Sequence, residues 1–394
     1  MRARWALGLV LVVAACDGET NHVAGPPPIT APVEACDVSI LMPMPPAPER
    51  LSLLGPNEEG SHGPLLPAGL YADLPQLELF TDNAETYELL RVVALRLDPC
   101  FPTLDRADAP GCKSVVRLVM QPVRLVAVDD ELALEAVDAA VHLFYSVDED
   151  KLEALLARLV DARIQAVGAG AGATLGVHPA LAQGGLGSPF MMTLRRQVLE
   201  TLGADNLTRV TVMALGDFSN VWTFAGFDVK DGALQPIDVS TLPAVSQKFT
   251  NVDATGATFS NTKLVPPGTV ENIDLLLDSA TAATADPAAL AAAYEASVRI
   301  ENPAIYNPDT IDCATCHIAP ATRRWAEAEL DFDASALDFE YRGSDGKPVP
   351  GATGSRTDEL RMFGYFDERP SISQRVVNET DALVSFWNGE LGLN

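Results

Sequence analysis

The chain has 394 residues, with 54 acidic against 27 basic side chains and a formal net charge of −27. This acidity argues against nucleic acid as a partner and disfavours broad binding to anionic lipid headgroups. The length exceeds the roughly 250–300 residues that one hydrophobic core usually holds, so two domains are expected, and 47% apolar residues indicate a globular protein.

The N-terminus has the pattern of a bacterial export signal. Two arginines precede an apolar run over residues 5–15, which is too short to span a membrane. The run ends in Val-Ala-Ala-Cys, which places Cys16 where a lipobox carries its lipid-modified cysteine. We expect residues 1–15 to be a cleaved signal peptide and Cys16 to be lipidated. An ordinary signal peptide with a chance cysteine is the alternative. Residues 16–36, rich in proline, are expected to form a flexible tether.

Residues 37–268 carry mainly strand signals. In some segments apolar residues alternate with polar ones; other segments are short and mainly apolar, with turn residues between them. Two helical patterns interrupt them, one over 151–165 with Asp148 as its N-cap, the other opening at Ser188 and stopping at Gly203. We therefore expect a mainly β domain, of unknown role, decorated by two or three helices. The predicted strands cover residues 87–97, 115–128, 141–147, 207–215 and 221–229.

Residues 269–394 carry mainly helical signals. A helix could form over 270–279, and Asp286 is expected to cap an alanine-rich helix that runs to about Arg299. The chain is predicted to close with a helix whose apolar face is the set Ile372, Val376, Leu383 and Trp387. The predicted fold class is thus α+β, with a mainly β domain followed by a small, mainly α domain.

Residues 313–317 read Cys-Ala-Thr-Cys-His, the pattern C-x-x-C-H. Two thiols at this spacing can form thioethers with the vinyl groups of one haem, and the adjoining imidazole can ligate the iron. With 6 cysteines and 5 histidines in the chain, a chance match is rare. We predict one covalent haem c, attached through Cys313 and Cys316, with His317 as an iron ligand. Bacteria attach such haems outside the cytoplasmic membrane, in agreement with the export signal.

Paired cysteines also occur in two other kinds of site. A dithiol redox centre or bare disulfide is one, but thioredoxin-like sites need a strand-to-helix setting, and here a proline-containing loop precedes the motif. A structural zinc site is the other, but it needs four ligands from cysteine and histidine. The remaining cysteines and histidines form no matching pair in the sequence. Both remain alternatives to haem.

The sixth iron ligand and the partners of the haem propionates have several candidates. Met362 is the leading candidate for the sixth ligand, although it also fits a core position among aromatic residues. His142 and His178 are alternatives, and so is an open sixth position. Arg323 and Arg324 follow the motif closely and could hold the propionates, because guanidinium groups pair with carboxylates in a bidentate manner. A solvated basic face is their other interpretation.

The other cysteines allow one disulfide. Cys100 and Cys112 flank a polar, proline-containing loop between two apolar segments, so we expect them to be joined. On the chain-entropy description such a bond would contribute about 3 kcal/mol to stability. Cys36 is then left without an assigned partner.

Helix, haem motif, loop, late methionine and terminal helix resemble the order found in small c-type cytochromes. The resemblance covers residues 285–394, and only the segment 313–317 within it is specific. The chain departs from those proteins because it lacks their spaced Gly-Pro run after His317, and Pro320 comes early. A β-rich lipoprotein module ahead of one haem motif also resembles exported lipoproteins of myxobacteria, a resemblance that implies no activity.

The cytochrome resemblance implies an electron carrier. The expected protein is a monohaem c-type cytochrome, lipid-anchored to the inner or outer membrane on the periplasmic or cell-surface side, with a redox partner protein in the envelope. Two alternatives remain. One is a binding or structural envelope lipoprotein in which haem is structural or absent. The other is a peroxidase-like haem enzyme.

Overall fold

The computed structural model describes most of the chain from residue 25 onward. The predicted signal peptide, Cys16 and the predicted boundary near residue 268 lie outside the described residues. No helix in the described part is long and apolar enough to cross a membrane. The described residues are 25–78, 81–102, 112–129, 131–172, 174–218, 221–250, 271–338, 341 and 360–393.

The described part of the chain is α+β, as the sequence predicts. Its strands form one large antiparallel sheet and two short hairpins. The strands are β1 Ser39–Leu41, β2 Glu59–Gly60, β3 Gly63–Pro64, β4 Leu90–Phe101, β5 Lys113–Val128, β6 Glu131–Ala136, β7 Ala140–Ser146, β8 Leu207–Phe218, β9 Val221–Lys230, β10 Ala233–Ile237, β11 Ser246–Thr250, β12 Phe363–Phe366 and β13 Arg369–Ile372.

The helices lie before, between and after the long strands. Four short 3₁₀ turns accompany them, at Ala47–Ser52, Ala204–Asn206, Asp274–Leu276 and Ala334–Ala336. The helices are α1 Ala35–Val38, α2 Ala68–Ala72, α3 Asn83–Leu89, α4 Glu149–Val167, α5 Pro179–Gly184, α6 Pro189–Thr201, α7 Ser279–Thr284, α8 Pro287–Glu301, α9 Cys313–Glu329 and α10 Gln374–Leu391.

The large sheet has the strand order β1-β4-β5-β7-β8-β9-β10. Strand β11 pairs with the first half of β9, beside β10, and β6 pairs with the second half of β5. All pairs within it are antiparallel, so side chains at alternate positions of neighbouring strands line up in rows across each face. The sheet therefore presents two faces that are buried against different elements.

The first face of the sheet packs against α4 and α6. Leu118, Leu143 and Val210 form one row of it and belong to a core that also includes Leu383 and Trp387 of α10. The second face packs against α9, the β12–β13 hairpin and the start of α10. The C-terminal segments thus bury their apolar sides against the sheet, while α8 and α9 share a smaller core with each other.

Three predicted element bounds are wrong. The first three residues of the predicted strand 87–97 belong to α3, because the Asp82 carboxylate caps that helix by accepting from the Glu85 N–H. In the predicted helix 270–279 only a 3₁₀ turn forms, and α7 begins at its last residue. Ile372 ends β13 instead of starting the terminal helix, since the Ser373 side chain caps α10.

The strands predicted at 115–128, 141–147, 207–215 and 221–229 are confirmed as β5, β7, β8 and β9 to within a few residues. The helices predicted from Ser188 and Asp286 are confirmed with those residues as side-chain caps. A disulfide joins Cys100 at the end of β4 to Cys112 before β5, the pairing that the sequence predicts. Cys36 is a buried free thiol.

Candidate functional site

A cavity of about 340 Å³ lies between the second face of the sheet and the helices α9 and α10. Strands β5, β7, β8 and β9 form one wall, and the segments 237–240 and 308–311 also line the cavity. The Ser240 hydroxyl donates to the Pro308 carbonyl at 2.6 Å and so joins the two segments. A cavity of this size falls in the range of pockets for small molecules and cofactors.

The sheet wall of the cavity is built from side chains at alternate strand positions. His142 and Thr211 lie opposite each other on β7 and β8, and Arg117, Phe144 and Arg209 form the next row. Strand alternation brings all of these to one face, so polar and charged groups face the cavity from a sheet whose other face is apolar. The cavity therefore combines apolar walls with a few defined polar groups.

The C-x-x-C-H motif forms the first turn of α9. The Asp312 carboxylate caps the helix by accepting from the Thr315 N–H at 2.9 Å. Gln247 on β11 donates to that carboxylate at 2.6 Å and accepts from the Ala314 N–H at 2.9 Å. These bonds fix the start of α9 to the sheet. Cys313, Cys316 and His317 all line the cavity.

Both cysteines of the motif are free, partly buried thiols. Burial raises the pKa of Cys313 to about 12 and that of Cys316 to about 11, so both are protonated thiols at neutral pH. Positions three apart on a helix share a face, so the two sulfur atoms are presented to the same cavity. Among the described residues, no group of three or more His, Cys, Asp or Glu side chains is arranged as a metal site.

His317 is oriented by the backbone. Its Nδ1 lies 2.9 Å from the Leu360 carbonyl, which can only accept, so Nδ1 carries the proton and Nε2 keeps its lone pair. Burial and the nearby charge of Arg361 lower the pKa of His317 to about 4, so the ring is neutral at physiological pH. The Phe224 ring packs against it with centroids 5.0 Å apart. A neutral, oriented imidazole with a free Nε2 is what metal ligation requires.

Met362 and His142 both line the same cavity as His317. His142 lies in the sheet wall, with Nδ1 3.2 Å from the Thr211 hydroxyl and Nε2 3.4 Å from the Arg361 guanidinium. Burial, with the Arg361 charge in addition, holds the pKa of His142 well below its usual range. The fold thus brings two of the predicted sixth-ligand candidates to the motif.

Arg361 is a buried cation beside both imidazoles. Its side chain also approaches the Met213 sulfur at 3.7 Å, and its Nε and Nη1 have no hydrogen-bond partner among the described residues. Burial lowers the pKa of Arg361 to about 10, against the opposing effect of the Asp138 charge. The guanidinium therefore remains charged at neutral pH in a region poor in compensating hydrogen bonds.

Comparison with known proteins finds no relative of this chain. No known family, no curated protein and no solved structure matches the chain. The chemistry of the site is therefore inferred from the residues that line the cavity and from the motif among them.

Arg323 and Arg324 do not line the cavity. Arg323 is buried on the side of α9 that faces α8, where it pairs with Glu301 at 2.5 Å and with Glu327 at 2.5 Å. Arg324 is half-buried and follows it on the same helix. The structure does not bring either side chain to the two thiols.

Four arginines that the sequence did not single out line the cavity instead. The sequence does contain a sign of them, because each of these arginines occupies an inward position of a strand or helix that is otherwise apolar. Recognising it requires the pairing of strands that lie far apart in the sequence. They are Arg96, Arg117, Arg209 and Arg375.

His178 lies away from the cavity, fully buried at the start of α5. Its ring stacks on Phe190 with centroids 4.0 Å apart, and within the part of the chain that the structure describes neither ring nitrogen has a hydrogen-bond partner. Burial, with the charge of Arg163 in addition, lowers the pKa of His178 to about 3. It is therefore a core histidine. Its lowered pKa predicts how the stability of the fold changes with pH.

Below pH 6.5 the unfolded chain takes up a proton on His178, whereas the folded chain does not until the pH reaches about 3. Stability should therefore fall by up to about 1.4 kcal/mol per pH unit across this window. Replacing His178→Leu should remove this part of the acid sensitivity. Urea unfolding of both proteins from pH 7 to 4 measures it, with the partly exposed His62→Gln as control. Parallel pH profiles for wild type and His178→Leu would contradict the prediction.

Proposed function

We propose that the chain carries one covalently attached haem c in this cavity and transfers electrons. Cys313 and Cys316 would hold the haem through thioether bonds, and His317 and Met362 would ligate its iron. When bound, the haem supplies a one-electron couple between ferric and ferrous iron. The C-terminal part of the chain would then be a haem domain of the kind that the cytochrome resemblance implies.

The position of the motif carries this proposal. Both thiols and the imidazole of the C-x-x-C-H segment line a single cavity, and that cavity is large enough for a cofactor. The donor set fits the group, because the thiols share one helix face and His317 has an oriented, neutral ring. Met362 lies in the same cavity although it is far from the motif in sequence.

The surrounding residues have defined tasks in an electron carrier. The Leu360 carbonyl fixes the tautomer of His317 and makes its ring a stronger ligand. Phe224 and Phe363 contribute apolar surface to the cavity walls. The buried charge of Arg361 beside His317 opposes the gain of positive charge in the cavity, which favours the reduced state. A stronger ligand favours ferric iron, so the Leu360 carbonyl and the Arg361 charge act on the potential in opposite directions. The fixed orientation of His317 lowers the reorganisation that electron transfer requires.

The predicted export signal indicates where in the cell the protein would lie. The protein would be a lipoprotein, anchored through Cys16 on the periplasmic or cell-surface side of a bacterial membrane. Its partner would be a redox protein of the envelope, and residues 37–268 would provide one wall of the haem cavity besides any docking role. Membrane extraction with detergent but not with salt would test the anchor, with Cys16→Ser as the soluble control.

Two measurements test the haem proposal directly. Protein matured in a host that attaches c-type haem should keep red colour and haem stain on a denaturing gel, with one haem per chain by pyridine haemochrome. Voltammetry should show a reversible one-electron couple. A colourless band from such a host would contradict the proposal and favour the binding or structural lipoprotein.

Met362→Leu tests the sixth ligand. Loss of a thioether ligand should abolish the weak far-red absorption of ferric, methionine-ligated haem and lower the midpoint potential, because thioether ligation favours ferrous iron. His142→Gln is the matched control in the same cavity and should keep the band. If the band is absent in wild type or survives in Met362→Leu, methionine ligation is wrong, and loss of low-spin character in His142→Gln would assign the ligand to that residue.

One observation favours the haem-enzyme alternative. His142 and Arg361 place an imidazole and a guanidinium, 3.4 Å apart, at the cavity that would hold the haem. Such a pair can move a proton and stabilise negative charge on a small bound molecule. Rapid spectral change on adding peroxide or carbon monoxide, lost in His142→Gln, would favour an enzyme. No response to either would favour the electron carrier.

A further inference from the structure

Two arginines flank Phe144 in one row of the sheet wall. Arg117 on β5 and Arg209 on β8 are each cross-strand neighbours of Phe144 on β7, and all three side chains line the cavity. Neighbouring strands lie about 4.8 Å apart, so the two arginine backbones are separated by about 10 Å. The row places two cations at one end of the cavity, with Phe144 between them.

Both arginines keep unused hydrogen-bond donors. Arg117 uses Nε and Nη2 for Asp98, at 2.6 and 2.8 Å, and its Nη1 has no partner among the described residues. Arg209 donates from Nε to Asp228 at 3.0 Å, and its Nη1 lies 3.9 Å from Asp309, beyond hydrogen-bonding distance. Arg117 is thus held in place by one carboxylate and Arg209 by Asp228 with a longer ion pair to Asp309, and both guanidinium groups still have N–H groups that make no hydrogen bond to the described residues.

The aromatic neighbours hold Arg117 in a fixed orientation. Its Cζ lies 5.3 Å from the centre of the Phe101 ring and 5.7 Å from that of Phe144. A guanidinium stacked on rings and tied to one carboxylate is pre-organised, so a second carboxylate binds it with little further loss of side-chain freedom. By contrast, Arg375 donates to Glu379 and to the backbone through all its nitrogens.

We infer that Arg117 and Arg209 form a carboxylate-binding end of the cavity and hold the two propionates of the haem. This inference rests on the proposed function, and it assigns to these residues the role that the sequence predicts for Arg323 and Arg324. Guanidinium–carboxylate pairs are charge-assisted and partly shielded from solvent here, since the side chains of Arg117 and Arg209 are 19% and 28% exposed. Asp309 ion-pairs with Arg209 at 3.9 Å, so a propionate at this end would share that guanidinium with Asp309 or displace it.

The substitutions Arg117→Gln and Arg209→Gln should leave the fold intact. Asp98 keeps a partner in Arg96, at 3.1 Å, and Asp228 is 30% exposed to solvent. Arg117→Lys is the conservative variant, because it keeps the charge but loses the bidentate fork. Arg324→Gln is the matched control outside the cavity.

The holoprotein provides the first readout. Resonance Raman spectra of the haem should show a shift of the propionate bending modes in Arg117→Gln and Arg209→Gln, a smaller shift in Arg117→Lys and none in Arg324→Gln. Haem content by pyridine haemochrome should stay at the wild-type value in all four. Full haem content with unshifted propionate modes would overturn the inference and leave the proposed function standing.

The full chain produced without haem provides a second readout. Titrated with haemin and with haemin dimethyl ester, it should prefer the diacid by about tenfold or more, as expected for charge-assisted bonds. The preference should fall several-fold in the double variant Arg117→Gln/Arg209→Gln. Equal binding of acid and ester by wild type would overturn the inference. Binding of neither, together with an absent haem stain, would remove the proposed function as well.

A free carboxylate is the other possible source of this ligand chemistry. Succinate added to the haem-loaded protein should not raise its melting temperature if the propionates already occupy both guanidinium groups. A rise that disappears in Arg117→Gln would show that the pair stays open to a free carboxylate, which would overturn the assignment to propionates.

Discussion

Replacing Cys313 and Cys316 together by alanine is expected to abolish covalent haem attachment. Both thiols line the cavity from one face of α9, and no other free thiol of the described residues lines it. The variant matured in the same host should therefore give no haem stain on a denaturing gel and no pyridine haemochrome signal in the denatured protein. Single replacements leave one thioether and should retain haem at reduced yield.

Cys36→Ala is the matched control for the cysteine pair. Cys36 is also a free thiol and is fully buried, but it lies beside Asp37 and Arg163, outside the cavity. Its replacement should leave the haem stain at the wild-type level. Haem that stays bound to the denatured Cys313→Ala/Cys316→Ala chain, or that is lost equally in Cys36→Ala, would refute attachment at the motif.

The residues of the motif can be predicted from the sequence, but the residues that form the cavity walls around it cannot. Cys313, Cys316 and His317 are recognisable because their chemistry depends on spacing along the chain, which a helix turn preserves. Arg117 and His142 could not be placed in the same way. Their meeting depends on how β5, β7 and β8 pair, and that register involves residues far apart in sequence.

The arginines behind the motif show why closeness in sequence misleads on a helix. Arg323 is six positions after His317 and therefore points to a different side of α9, towards Glu301. Arg324 lies about 10 Å further along the helix axis than His317. Met362 shows the opposite case. It is distant in sequence, yet the chain returns it to the cavity just ahead of β12.

Local signals fixed most elements but not their order in the sheet. Ser188 and Asp286 cap helices as predicted, because capping needs only the first turn of the chain that follows. The strands β10 to β13 went unpredicted, since all four are short and β10 and β13 also contain Pro236 and Pro370. β10 and β11 are placed by pairing with the longer β9, and β12 and β13 by pairing with each other, which a single sequence does not display.

Glu379→Gln is expected to destabilise the fold by about 3–5 kcal/mol, the cost of breaking a buried ion pair from one side. Glu379 on α10 accepts from Arg96 on β4 and from Arg375 on its own helix, the latter at 2.5 Å. The side chains of Arg96 and Arg375 are 9% and 3% exposed. Glutamine keeps the shape of the Glu379 side chain but removes the carboxylate charge. The guanidinium groups of Arg96 and Arg375, which line the cavity, then lose this anionic partner.

The charge of Glu379 also predicts a dependence on pH. Burial raises its pKa, but the charges of Arg96 and Arg375 outweigh this and hold the pKa well below the usual range. A carboxyl with a depressed pKa stabilises the fold above its unfolded pKa of about 4.3, and this stability is lost as the pH falls through the folded value. Wild type should thus lose more stability than Glu379→Gln between pH 5 and 2.

Urea midpoints of wild type, Glu379→Gln and a control distinguish this effect from a general loss of acidic charge. Glu390 lies on the same helix and is exposed, so Glu390→Gln should change the free energy of unfolding by less than about 0.5 kcal/mol. The destabilisation matters for the site, because α10 and β4 form one end of the cavity that the motif lines. A Glu379→Gln variant as stable as wild type would mean that Asp98 alone neutralises this cluster, and α10 would then be held to the sheet by its apolar face alone.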